Sequence, residues 1–207
     1  MSDVVVVDLG MGNLRSVARA LERAGATVRV SSVPEDVARA PRLVVPGQGH
    51  FADCARAMAG PLGLACREQI ASGRPYLGLC LGMQVLFEES DEAPGARGLG
   101  LFAGRVVRFE AGRDEVPGVP RKIPHMGWNI VRAREGAPLL EPEAWFYFVH
   151  SYHCVPADPS VVAGMTDFGE PVCAVVTRDN VVGCQFHPEK SHAAGARLLA
   201  RFVGAAT

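Results

Sequence analysis

Gly78-Leu79-Cys80-Leu81-Gly82-Met83-Gln84 is the stretch from which the rest of this 207-residue chain can be read. Ahead of it, Arg74-Pro75-Tyr76-Leu77 leads an apolar run into the cysteine. Behind it, Leu81, Val85 and Leu86 recur at helical spacing, so a helix is expected over 81–88. A cysteine between two glycines at a strand-to-helix corner has the form of a nucleophile elbow, where small residues let the backbone and a neighbouring helix approach closely. The start of a helix also favours a thiolate, the nucleophilic form. A buried structural cysteine at an αβ junction fits the same seven residues, and the choice depends on the other end of the chain.

Upstream, Val4-Val5-Val6-Val7 is a continuous β-branched run, the mark of a strand covered on both faces of a parallel sheet. The turn Gly10-Met11-Gly12-Asn13 leads into a helix with Leu14, Val17, Ala18 and Leu21 on one face, closed at Gly25. Its glycine pattern falls short of a dinucleotide fingerprint, because Arg15 occupies the third glycine position. A strand at 26–30, a short helix at 33–40 and a strand at 43–45 follow. The chain then enters Pro46-Gly47-Gln48-Gly49, a loop able to turn backbone N–H groups toward a ligand or simply to connect strand and helix. Helices over 51–60 and 61–72 complete an alternation that predicts an α/β, doubly wound, mostly parallel sheet with flanking helices.

Beyond Glu88 the pattern changes. Residues 90–100 and 111–120 read as surface loops, with a strand at 104–110 between them. The glycine and proline of Ile123-Pro124-His125-Met126-Gly127-Trp128-Asn129 suit neither a long helix nor a central strand. An aromatic strand spans 145–152, and four more strands, at 153–156, 161–166, 172–177 and 181–186, predict an antiparallel extension.

The last strand ends at His187-Pro188-Glu189-Lys190-Ser191. A residue before proline is held extended, and Pro188 suits the first turn of a helix, so His187 caps the strand end. Residues two apart in an extended segment share a side, which lets the Glu189 carboxylate reach one imidazole nitrogen while the other faces out. The C-terminal ends of parallel strands line one crevice. The Gly47–Gly49 loop, Cys80 and His187 all fall at such ends, and this coincidence favours a catalytic cysteine over three separate structural roles.

With 48% hydrophobic and 21% charged residues, the chain is of one-domain size over 1–207. Twenty-one basic against 22 acidic residues give no field for nucleic acid or an anionic membrane. No apolar stretch reaches membrane-spanning length and no basic leader precedes the first strand, so a cytoplasmic protein is expected. The six cysteines form no Cys-x-x-Cys pair and are expected as reduced thiols. The histidines lack zinc-site spacing, so no metal or other cofactor is expected.

Cys80 and His187-Pro188-Glu189, in that order, resemble the class I, triad-type glutamine amidotransferases. Within that superfamily, Asp8-Leu9-Gly10-Met11-Gly12-Asn13-Leu14-Arg15-Ser16, Pro46-Gly47-Gln48-Gly49, Pro124-His125-Met126-Gly127-Trp128-Asn129 and Val149-His150-Ser151-Tyr152 resemble the glutaminase subunits of imidazole glycerol phosphate synthases. The resemblance implies glutamine hydrolysis by Cys80, His187 and Glu189, with an oxyanion hole from Leu81 and the Gln48-Gly49 region. It implies glutamine binding by Gly47, Gly49, Gln84, His150, Ser151 and Tyr152. It also implies a heterodimer with a (β/α)8-barrel cyclase that receives the ammonia, docked through Asn13, Trp128, Tyr147 and Lys190. Gln48 departs from the pattern, which has valine there. Another triad amidotransferase, a catalytically silent module on the same fold and a cysteine peptidase are the competing readings.

Overall fold

The structure is a computed structural model that describes residues 2–112 and 114–204. The first part of the chain alternates strand and helix: β1 (Ser2–Val7), α1 (Leu14–Arg23), β2 (Ala26–Ser31), α2 (Pro34–Ala38), β3 (Leu43–Gly47), α3 (Phe51–Met58), α4 (Pro61–Ala71), β4 (Tyr76–Cys80) and α5 (Leu81–Gln84). Strands then dominate: β5 (Glu89–Ser90), β6 (Gly104–Arg108), β7 (Asp114–Val116), β8 (Val119–Pro120), β9 (His125–Ala133), β10 (Glu143–His150), β11 (Tyr152–Pro156), β12 (Val162–Asp167), β13 (Pro171–Arg178) and β14 (Val181–Cys184), before α6 (His192–Gly204).

Nine strands form one sheet in the order β10-β9-β12-β13-β14-β4-β3-β1-β2. Neighbours from β14 to β2 run parallel, and those from β14 to β10 run antiparallel. The doubly wound half and its antiparallel extension thus share one sheet. Alternation along β1 divides the core between the two faces. Val5 and Val7 join Phe51 and Met58 on one side, while Val4 and Val6 join Leu21, Leu198 and Phe202 on the other. A smaller sheet, β11-β6-β5, is not hydrogen-bonded to the nine strands but shares their core through Val106 and Cys154.

Several details differ from the sequence expectation. The helix after Cys80 stops at Gln84, because the Val85, Leu86 and Phe87 carbonyls accept from the N–H groups of Leu99, Leu101 and Gly100. Those three side chains are buried all round, a pattern that only resembles one helical face. The segment 90–100 is not a plain surface loop: Ala93 and Leu99 are buried in the main core. Within 111–120 lies the β7–β8 hairpin. The 123–129 segment enters a true interior strand, β9, paired along its length with β10 and at its far end with β12. Pro124 stays just outside the ladder, where its missing N–H costs nothing. The aromatic strand also ends at His150 rather than Tyr152, since Ser151 bends the chain from the large sheet into β11 of the small one.

Candidate active site

The parallel register places the chemistry. Gly47 at the end of β3 lies opposite Cys80 at the end of β4, and Leu79 lies opposite Cys184 in β14. The loop after β3, the nucleophile and the residues after β14 therefore share one edge of the sheet. Cys80 has φ 53° and ψ −108°, a conformation L residues rarely adopt and one held only where the surroundings over-determine it. The surrounding glycines do this by contact. A Cβ on Gly82 would overlap the Val45 carbonyl oxygen, and one on Gly78 would overlap the Gly82 carbonyl. A Cβ on Gly47 would come within 2.6 Å of the Leu81 Cβ.

His187 and Glu189 are buried side by side, with His187 Nδ1 2.9 Å from Glu189 Oε1. The His187 backbone is also anchored: its N–H donates to Tyr147 O at 3.0 Å, and its carbonyl accepts from Ser191 Oγ at 2.6 Å. Burial alone would lower the His187 pKa, but interaction with the Cys80 sulfur and the Glu189 carboxylate outweighs it and pushes the ring up to about 9. Nε2 has no hydrogen-bond partner among the described residues, so the Cys80 sulfur acts on it by proximity. At neutral pH the imidazole holds the proton. The other five thiols, Cys54, Cys66, Cys154, Cys173 and Cys184, are all pushed up by burial, the first two to about 12.

A cavity of about 330 Å³ opens over Cys80. Gln48, Gly49, Leu81, Gln84 and the run from His150 to Tyr152 line it, which brings most of the residues implied for glutamine together around the sulfur. Gly47 is buried beneath the loop, opposite Cys80. Among the described residues, neither the Gln48 nor the Gly49 N–H is taken by a protein acceptor. Both ring nitrogens of His150 are engaged inside the protein, with Tyr152 O at 2.9 Å and His125 Nδ1 at 3.0 Å. Gln84 Nε2 donates to Tyr152 O and to Gln185 Oε1 at 3.0 and 3.2 Å, leaving its carbonyl oxygen without a partner among the described residues.

Three residues of the site escaped the sequence reading. Gln185 is fully buried and its Nε2 lies 3.7 Å from Cys80 Sγ. It stands two residues before His187, so period-two alternation at the strand end could have found it. Ser191 ties the 187–191 turn to β10, donating to His187 O and accepting from Tyr147 N. Glu92 lines the cavity and accepts from Phe51 N at the start of α3; no sequence signal marked it.

Of the residues implied for docking, Trp128, Tyr147 and Lys190 cluster. Trp128 stacks on His192 and meets Tyr147 edge-on, and Lys190 Nζ lies 6.0 Å from the Tyr147 ring centre. Trp145 and Met126 extend this surface, 54% and 61% exposed. Asn13 is exposed at the start of α1, where its side chain caps Ser16 N.

A cysteine on a strained elbow, a buried histidine–carboxylate pair and an unoccupied pair of backbone donors on a parallel sheet are the parts of a triad amidotransferase, and residues 5–205 match the model of the glutamine amidotransferase class-I family. The chain belongs to that family. Among relatives, it is 49% identical to the imidazole glycerol phosphate synthase subunit HisH of Methylococcus capsulatus, over 98% of this chain and 96% of that one. It is 50% identical to the HisH subunit of Deinococcus radiodurans, over 97% and 92%. It is of the HisH type. Solved structures share the fold at low identity. PurLQS from Thermotoga maritima has a TM-score of 0.76 and 16% identity, with 98% of each chain covered. A structure described as that of a glutamine amidotransferase has a TM-score of 0.72 and 20% identity, with 97% of this chain and 99% of that one covered.

Proposed function

We propose that the protein hydrolyses L-glutamine to glutamate and ammonia and hands the ammonia to the cyclase of an imidazole glycerol phosphate synthase, in histidine biosynthesis. The observation that carries this is the buried His187–Glu189 pair beside Cys80, Nδ1 2.9 Å from the carboxylate oxygen. Cys80 attacks the side-chain amide carbon of glutamine. The N–H of Leu81 and those of the Gln48-Gly49 region hold the oxyanion, each such donor contributing roughly 10²–10³ in turnover. His187, carrying the proton taken from the Cys80 thiol, delivers it to the departing ammonia. The now neutral ring activates the water that cleaves the thioester, and Glu189 keeps it oriented.

Gln84 offers its unpartnered carbonyl oxygen to an N–H of glutamine. The His150 ring and the carbonyls of Ser151 and Tyr152 are already engaged, so the wall from His150 to Tyr152 meets glutamine with its remaining polar groups. Among the described residues no second active site for the ammonia accompanies this one, and ammonia released to water becomes ammonium, which is no nucleophile. The partner is a (β/α)8-barrel that turns a ribonucleotide intermediate, PRFAR, into imidazole glycerol phosphate and AICAR. It forms a heterodimer with this chain across Asn13, Trp128, Tyr147 and Lys190.

Glutamate release measured with the protein alone and with the cyclase plus its nucleotide ligand tests this, with Cys80→Ala as control. Strong activation by the liganded cyclase, lost in the control, is expected. Absence of Cys80-dependent release from folded, cyclase-bound protein would leave a silent module. Release without response to the cyclase would point to another amidotransferase, and peptide cleavage without glutamine turnover to a peptidase.

A further inference from the structure

An unbroken line of hydrogen bonds runs from β9 to the nucleophile. Asn129 Nδ2 lies 3.2 Å from His125 Nε2, and His125 Nδ1 lies 3.0 Å from His150 Nε2. His150 Nδ1 lies 2.9 Å from the Tyr152 carbonyl, which also accepts from Gln84 Nε2 at 3.0 Å. Gln84 Nε2 donates again, to Gln185 Oε1 at 3.2 Å, and Gln185 Nε2 reaches Cys80 Sγ at 3.7 Å. Asn129 is further tied by donating to Asp167 O at 2.7 Å and accepting from Ile130 N.

The direction of every bond follows from the one group in the line that can only accept. The Tyr152 carbonyl requires Gln84 to present its NH₂. The second hydrogen of that NH₂ requires Gln185 to present its oxygen, which turns the Gln185 NH₂ toward sulfur. On the other side the same carbonyl requires His150 to carry its proton on Nδ1. A neutral His150 then accepts at Nε2, so His125 donates from Nδ1 and accepts from Asn129 at Nε2. His125, His150, Gln84 and Gln185 are all buried, so none can trade its partner for bulk water.

We propose that Gln185 is a catalytic residue, its carboxamide donating to the Cys80 sulfur, and that Gln84, His150, His125 and Asn129 are positioning residues that hold the carboxamide in that orientation. A donor aimed at sulfur stabilises the thiolate that attacks glutamine and is ready before substrate arrives. Because the line ends on the strand that carries Trp128, the placement of β9 and the reactivity of the sulfur are joined by directional bonds.

This deepens the glutaminase reading and rests on Cys80 being its nucleophile. The test reads the sulfur directly: the rate of Cys80 alkylation by iodoacetamide in the full chain, followed by peptide mass spectrometry, for wild type, Gln185→Leu and the isosteric Gln185→Glu. Both variants are expected to react about tenfold more slowly near pH 7 and to converge with wild type near pH 10, where thiols ionise unaided. Equal rates near pH 7 in a folded variant would overturn the proposal, and Gln185→Glu serves where the leucine variant does not fold. Imidazole ¹⁵N shifts are expected to show both His125 and His150 neutral and protonated on Nδ1, and the opposite tautomer in either ring would break the line. Cys80-dependent glutaminase activity with Gln185-independent alkylation removes this inference alone. Gln185-dependent alkylation without glutamine turnover removes the activity and keeps the donor.

Discussion

Strands β4 and β9 are both interior to the same sheet, yet their sequences obey opposite rules. In β4 every position of Tyr76-Leu77-Gly78-Leu79-Cys80 is buried, and hydrophobicity alone places it. In β9 the inward positions hold His125 and Asn129, while Met126 and Trp128 point outward, 61% and 43% exposed. One strand is shaped by the core it fills. The other buries a polar line and displays an apolar surface, which suits the docking face proposed above.

The largest effect that separates the two belongs to the β4 side. Gly82→Ala sets a methyl group against the Val45 carbonyl, backbone against backbone, where no side chain can give way. A loss of about 4 kcal/mol or more is expected in urea unfolding, the range reserved for severe overpacking. A midpoint near wild type would mean that β3 and α5 separate freely, and the rigid elbow would have to be abandoned.

The two strands also carry histidines with opposite linkage to pH. Desolvation by burial, reinforced by the nearby Arg121, pulls His125 down to about 4. The unfolded chain binds the proton first, so this contribution to stability is full above about pH 6.5 and is lost as pH falls toward 4, by roughly 3 kcal/mol. His150 and His153, also lowered by burial, add to the same acid window. His187, raised to about 9, works the other way: its contribution is complete below about pH 6.5 and is lost as pH rises through 9. Urea midpoints across this range are expected to fall on both sides of neutrality. His125→Phe, which keeps the stacking between Phe148 and Phe168, is expected to make the acid side shallower, leaving the share of His150 and His153, and to leave the alkaline side unchanged. A symmetrical change would refute the separation of the two histidines.

Glu189→Gln tests the same charge logic by catalysis. Removing the carboxylate removes one of the groups that raise His187, so the alkaline fall in kcat/KM should move to lower pH. Turnover at the optimum should drop about a hundredfold, equivalent to some 2.7 kcal/mol. An alkaline limb that stays in place would show that Glu189 only fixes the ring geometrically.

How much the sequence discloses follows the same division. The parallel half is legible because Val4–Val7, Leu43–Val45 and Tyr76–Leu79 must be apolar to be covered on both faces. The elbow is legible because its glycines have no steric alternative. By contrast, β9 is hidden because His, Gly and Asn occupy its inner face, and α5 is overestimated because Val85 and Leu86 are buried by a loop that takes their carbonyls. Gln185 is hidden for a related reason: a single amide just past the end of the apolar β14 has meaning only once Cys80 is seen beside it.

Trp128 gives the smallest expected change in stability and the sharpest contrast with Gly82. Its indole lies flat on His192, 5.1 Å between ring centres, and edge-on to Tyr147, but it fills no interior space. Trp128→Ala is therefore expected to cost less than about 1 kcal/mol in urea unfolding, as surface substitutions do. If this face receives the cyclase, the same change should weaken the stimulation of glutamate release by the liganded cyclase by well over the factor of about five that 1 kcal/mol represents. An aromatic at the centre of an interface contributes far more to binding than to folding. Equal loss of basal release and of stimulation, together with a large fall in the unfolding midpoint, would return Trp128 to the core and leave β9 without a partner surface.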